Sequence, residues 1–189
     1  MTDRRLIKIS GRPPAAVCER FELSEDAQAI SPEGLTPEQF LARLIEGEHF
    51  ADATNFLAHA LPSREAVWWA AASTRAGTPE LDANNAQVLS LAERWVRDPT
   101  DDNRYAAFAA AQQAGLNSPA SFVGVAAYMS GKSIAPKDLD DVAAPEGVTG
   151  TMAACAVILV AVTPDPLKAS DKYRQFLAKG MDIAAGPGA

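Results

Sequence analysis

Helix-capping side chains are followed at once by proline at Thr36-Pro37, Ser118-Pro119 and Asp165-Pro166. A hydroxyl or carboxylate at the N-cap takes up an orphan backbone N–H. Proline at the next position gives up an N–H that the helix never uses. Breakers stand at the opposite ends, at Gly47, Pro62, Gly77, Asp98-Pro99, Gly115 and Gly131. This punctuation divides the chain beyond residue 35 into helix-length segments.

The segments carry apolar faces at helical spacing. After Thr36, with Gln39 placed to close a capping box, come Phe40, Leu41, Leu44 and Ile45. A second helix runs from about Glu48 to Leu61 and presents Phe50, Ala53, Leu57 and Ala60. A third starts near Pro62 or Ser63, with Ser63 as cap, and ends about Arg75. Pro79 opens a fourth through Leu81, Val88, Ala92 and Trp95. Thr100 or Asp101 caps a fifth carrying Tyr105 and Phe108, and Ser118 caps a sixth carrying Phe122, Val125 and Met129. Residues 131–147 form a polar connection. The seventh spans 148–162, and the eighth follows Asp165-Pro166 with Tyr173, Phe176, Leu177 and Met181. No stretch after residue 35 alternates with period two.

The fold class is therefore all-α, a compact bundle of seven or eight helices, with an α-hairpin stack as the alternative. Residues 1–35 are expected as an irregular or β N-terminal arm packed on the domain, with Leu6 to Ile9 as a short strand. Residues 36–185 form a single helical domain, and 186–189 a flexible tail. One domain suits 189 residues.

A formal charge of -7 argues against nucleic-acid binding, which needs clustered Lys and Arg. The most apolar run, Met152 to Val162, is shorter than the ~20 residues a membrane-spanning helix needs, and reads as a buried central helix. Lys8 interrupts the apolar start, so no signal peptide is expected and the localisation reads as cytoplasmic. Cys18 and Cys155 have no metal-ligand spacing and read as buried free thiols.

Motif chemistry is sparse. Met129-Ser130-Gly131-Lys132-Ser133 ends like a phosphate-binding loop, but Ala126 stands where that loop needs glycine and a helix precedes it, which excludes nucleotide binding there. His49 and His59 on one helix would sit about 80° out of alignment and about 15 Å apart along the axis, so they cannot share an ion. Glu48, Asp52 and Asn55 read as one solvated helix edge. No metal, cofactor or catalytic residue is expected.

The segment Phe56 to Ala72 is the most informative. Adjacent helical residues point about 100° apart, so Trp68 and Trp69 cannot share the centre of one narrow stripe. The segment reads first as the central hairpin of the bundle with both indoles in the core. The functional reading is a partner groove formed by His59, Arg64, Glu65, Trp68 and Trp69, since Trp and Arg dominate binding hot spots. Arg64 lies one turn before Trp68 and can stack on it. Glu65 lies one turn before Trp69 and can accept its N–H.

His-Ala-Leu-Pro-x-Arg-Glu-Ala-Val-Trp-Trp-Ala, here His59 to Ala70, resembles the signature of an uncharacterised family of bacterial all-helical proteins. Ala51-Asp52-Ala53 and Phe56-Leu57-Ala58 fit the same pattern, and residues 14–27 are similar to that family's opening segment. Ala71-Ala72-Ser73 departs from the cysteine-containing helix expected after the tryptophans. Some members of that family occur alongside type VI secretion genes, which implies an accessory or adaptor role and brings no catalytic residue.

The leading expectation is thus a non-enzymatic cytoplasmic adaptor that binds another protein, linked to type VI secretion. One alternative is an acidic immunity-type inhibitor of a basic toxin, acting through Asp98, Asp101 and Asp102 and through Asp138, Asp140, Asp141 and Glu146. The other is an enzyme or small-ligand binder with a pocket beside His59, Arg64 and Glu65.

Overall fold

The capping signals set the helix starts. Thr36 and Gln39 form the reciprocal capping box. Thr100 accepts from the Asn103 N–H, and Ser118 from the Ser121 N–H. The computed structural model describes residues 5–135 and 139–186. Among these, α1 is Pro14–Cys18, α2 Glu25–Gln28, α3 Pro37–Glu46, α4 Phe50–Ala60 and α5 Ser63–Gly77. The series continues with α6 Ala83–Arg97, α7 Asp101–Gln113, α8 Pro119–Met129, α9 Val148–Val162 and α10 Ala169–Ala185. The eight helices expected beyond residue 35 are α3 to α10, and the chain is an all-α bundle.

Two boundaries and one cap differ from expectation. The fourth helix begins at Ala83, because Asp82 caps it with both carboxylate oxygens, one on the Asn85 N–H and one on the Asn85 side-chain amide. Ser63 is the first helical residue of α5, whose N-cap position is Pro62. Asp165 caps a 3-10 turn, Pro166–Lys168, and α10 follows it.

Leu6 to Ile9 is not a strand. The Ile9 and Ser10 N–H groups both donate to the Leu6 carbonyl, closing a tight turn that buries Leu6 and Ile9 in the core. The arm is tied down at two helix ends. The Leu6 N–H donates to Glu38 Oε1 at 2.8 Å, and the Lys8 N–H to the Ala184 carbonyl at 2.9 Å. Gly186 ends α10 with φ +81°; the rest of the expected tail lies outside the described residues.

The predicted central helix is α9. It packs against α4, α5, α8 and α10, and its buried positions are mostly alanine and valine, which allow close helix approach. Helices α6, α7 and α8 pack on one another. There Gly124 lets the backbones close: a Cβ on it would stand 2.9 Å from the Ala107 carbonyl oxygen. The hairpin reading of Phe56 to Ala72 gives way, because α4 and α5 scarcely touch each other and both lean on α9. Leu61 leaves α4 in extended conformation, so Pro62 turns the chain away rather than back along α4. Among the described residues, no single helix is long and apolar enough to cross a membrane.

Candidate functional site

The paired tryptophans separate. Trp69 is 0% exposed and Trp68 43% exposed, so the expectation of two core indoles holds for one of them. Trp69 Nε1–H donates to the Phe176 carbonyl of α10 at 2.7 Å, not to Glu65. Gly180 makes room for that ring: a Cβ there would stand 2.8 Å from Trp69 Nε1 and 2.5 Å from Leu57 Cδ2. Trp69 is thus unavailable to a partner in the folded chain.

Trp68 faces a surface cleft of about 540 Å³, with Lys8, Arg64, Glu65, Ala72, Glu93, Val96 and Arg97 around it. Three elements build it: the N-terminal arm, the first turns of α5 and the last turns of α6. Glu65 pairs with Lys8 at 2.9 Å. Glu93 accepts from Arg75, which also reaches Ser90. Both carboxylates in the cleft are therefore engaged. Arg64 Nε–H donates to the Val96 carbonyl near the C-terminal end of α6, where a cation also suits the helix dipole. Arg97 is exposed. A chain of net charge -7 thus gathers Lys8, Arg64 and Arg97 around one exposed indole.

His59 does not belong to that cleft. It is 3% exposed at the end of α4 and lines a separate pocket of about 110 Å³ with Arg12, Arg20, Ser63, Pro145, Gly147, Thr149 and Gly150. The first turn of α5 divides the two: Ser63 and Ala66 face the pocket, Arg64 and Glu65 the cleft. The single pocket expected beside His59, Arg64 and Glu65 is accordingly not formed. Their nearness in sequence misleads because the chain turns at Pro62. Phe21 stacks on His59 with ring centroids 5.4 Å apart, Arg12 donates to the His59 carbonyl, and Nε2 lies 3.5 Å from Thr151 Oγ1. Nδ1 is buried with no hydrogen-bond partner.

Burial, with the nearby Arg20 cation adding to it, pushes the His59 imidazole down from 6.5 to about 4. Unfolding therefore takes up a proton between these values. The contribution to stability is complete above the unfolded value and is lost as pH falls from 6.5 towards 4, at up to about 1.4 kcal/mol per pH unit. Urea midpoints at pH 7 and pH 5 are expected to drop more for the wild type than for His59→Gln, which has no such proton to gain.

The expected Glu48–Asp52–Asn55 edge is also divided. Glu48 precedes α4 at φ +60° and pairs with Arg174 at 2.7 Å. Asp52 is buried and accepts from the Ser24 N–H and hydroxyl at 2.9 and 2.8 Å. Among the described residues no cluster of His, Cys, Asp and Glu could hold a metal ion. Both cysteines are free and half-buried rather than fully buried. Burial, and then the Asp52 charge, raise the Cys18 thiol to about 11, which keeps it protonated and unreactive at neutral pH.

The segment that ends like a phosphate-binding loop has a structural explanation. It follows the helix α8, as expected, and wraps the 2%-exposed Arg104. That guanidinium donates to Asp101 at 2.6 Å and to the carbonyls of Tyr128 and Ser133. Gly131 is needed there because a Cβ would stand 2.3 Å from Arg104 Nε and Cζ. Of the acidic clusters, Asp98 and Asp101 bind Asn103 and Arg104, Glu146 pairs with Arg20, and Asp138 lies outside the described residues.

Sequence reasoning found Arg64, Glu65 and Trp68 and missed Lys8, Glu93 and Arg97, which reach the cleft from distant elements. Arg12 and Arg20 were likewise without signal. Gly147-x-x-Gly150 at the start of an apolar helix is the one local hint of the second pocket. No curated protein and no solved structure matches the chain. One family does, over residues 40–184, from α3 to the last turn of α10, and so covers the helices that build both sites apart from the arm and α1. The chain belongs to the family of unknown function DUF6931.

Proposed function

We propose that the chain is a non-enzymatic protein-binding accessory protein whose cleft around Trp68 receives an acidic segment of another protein. The observation that carries this reading is the exposed indole set between Arg64 and Arg97, with the cleft carboxylates Glu65 and Glu93 held by Lys8 and Arg75. An exposed tryptophan rimmed by arginine is the composition of a binding hot spot, and the local positive charge in an acidic chain selects a partner of opposite sign. The cleft is open, holds no histidine and places no nucleophile beside a base, which favours recognition over catalysis. The resemblance of residues 49–72 to proteins that occur with type VI secretion genes makes a component of that machinery, or its cargo, the first partner to screen.

The test is quantitative capture of a partner from native cells by the wild type, Trp68→Ala and Arg97→Ala. Trp68→Ala is expected to weaken binding by about 2 kcal/mol, the scale of a hot-spot residue. Arg97→Ala is expected to slow association and to flatten its salt dependence. Arg64→Ala is less clean, since it also removes a donor from the end of α6. A stoichiometric partner held equally by all variants would overturn the reading. One released instead by neutralising Asp140 and Asp141 would favour the immunity-type alternative.

A further inference from the structure

The pocket beneath His59 is a second site of different chemistry. Helix α9 begins at Gly147, which has φ +80° and offers no side-chain cap. Val148 N–H is taken by Pro145 and Thr151 N–H by Gly147, while the N–H groups of Thr149 and Gly150 find no acceptor among the described residues. These are the orphan donors of a helix start, and they carry the positive end of a 15-residue helix. Arg12 approaches from the N-terminal arm and Arg20 from the turn after α1.

Two further observations point to a ligand. His59 is 97% buried, lines this pocket and has an unpartnered Nδ1. Gly150 is the residue that lets the imidazole lie on the first turn of α9: a Cβ there would stand 2.6 Å from Nδ1. No carboxylate lines the pocket. The one acid nearby, Glu146, is 81% exposed where it pairs with Arg20 at 3.0 Å. An exposed pair of this kind is worth little, so a stronger anion can replace it.

We propose that the first turn of α9, with Arg12, Arg20 and His59, forms a binding site for a phosphate group, either inorganic phosphate or a small phosphate monoester. Backbone N–H groups at a helix start, supported by guanidinium groups, are the ordinary receptor for a tetrahedral oxyanion. The pocket's volume of about 110 Å³ confines the recognised group to the phosphoryl head. The groups that face His59 are Arg12 from the arm, Arg20 beyond α1, with Glu146 behind it, Ser63 from α5 and Thr151 from α9. None of them is an anion in direct contact with the ring. A bound phosphate beside Arg12 and Arg20 supplies that anion, so binding draws a proton onto His59.

The experiment titrates inorganic phosphate into the full chain at constant ionic strength, with sodium chloride as balance, and follows the imidazole resonances. The chain has two histidines, so His49 serves as an internal reference. A saturable shift is expected at His59 and not at His49, with the His59 titration midpoint higher in saturating phosphate. Arg20→Ala is expected to weaken the apparent affinity about tenfold or more, as loss of a charge-assisted hydrogen bond does. Arg97→Ala, in the Trp68 cleft, is expected to leave it unchanged. Phenyl phosphate in a second arm separates the two sources: tighter binding marks the phosphoryl group of a larger molecule, and equal or weaker binding marks free phosphate. A His59 signal that ignores phosphate, a response reproduced by chloride, or a response abolished by Arg97→Ala and kept in Arg20→Ala would overturn the proposal. None of these outcomes depends on whether the Trp68 cleft binds a protein.

Discussion

Replacing Trp69 with alanine is expected to destabilise the fold by about 3–5 kcal/mol, the range for truncating a fully buried tryptophan. The same change at the adjacent Trp68 is expected to stay near the roughly ±0.5 kcal/mol of surface substitutions. Urea denaturation of the two variants provides the comparison. The difference follows from what each ring meets. Trp69 fills the space between α5, α4 and α10, and its N–H is bound to the Phe176 carbonyl. Truncation leaves a cavity that Leu57 and the α10 backbone cannot collapse into without unseating α10. Gly180→Ala tests the same contact from the other side. On the wild type it is expected to cost about 1–3 kcal/mol through overpacking. On Trp69→Ala it is expected to cost less, because the indole that the added methyl would meet at 2.8 Å is then gone. A double-mutant cycle that shows no coupling between these touching residues would refute the packing account.

Arg104→Ala is the second large loss, expected at about 2–4 kcal/mol on the scale of hydrogen bonds made by a charged donor. The guanidinium is buried between the Tyr105 and Tyr128 rings, 4.6 and 5.5 Å from their centroids. It supplies donors to the Tyr128 and Ser133 carbonyls. Its removal leaves those carbonyls without their donor and unpins residues 130–135. Arg104→Lys is expected to recover little, because an ammonium cannot present the planar fork that reaches Asp101 and two carbonyls at once. Amide hydrogen exchange across Ser133 to Ala135 provides a local readout. Fast exchange confined to that loop in Arg104→Ala is the expected pattern, and unchanged protection would rule the pinning role out.

The helices were legible because their ends are written locally. Thr36, Thr100 and Ser118 each cap the helix that follows, and a cap needs only residues within one turn. The division between Trp68 and Trp69 was legible as a constraint, since adjacent positions diverge by about 100°. Which of them is buried was not legible, because Gly180 and Phe176 decide it from more than a hundred residues away. The same holds for the arm. Leu6 and Ile9 look like a short strand by residue type, yet the Leu6 carbonyl is taken by its own turn. His59 was grouped with Arg64 and Glu65 by sequence distance. The geometry at Leu61 and Pro62 directs them to opposite sides of the first turn of α5. The cations that complete each site, Arg97 in one and Arg12 and Arg20 in the other, come from elements whose placement only the packing reveals.

Lys8 and Arg12 lie four residues apart in the arm, yet one holds Glu65 at the rim of the Trp68 cleft and the other holds the His59 carbonyl beside the second pocket. The two sites therefore do not report independently on the arm. A change that lifts it is expected to remove a charge from both at once. Substitutions at Lys8 or Arg12 are expected to be less selective than Arg97→Ala and Arg20→Ala, whose residues lie outside the segment from Leu6 to Arg12.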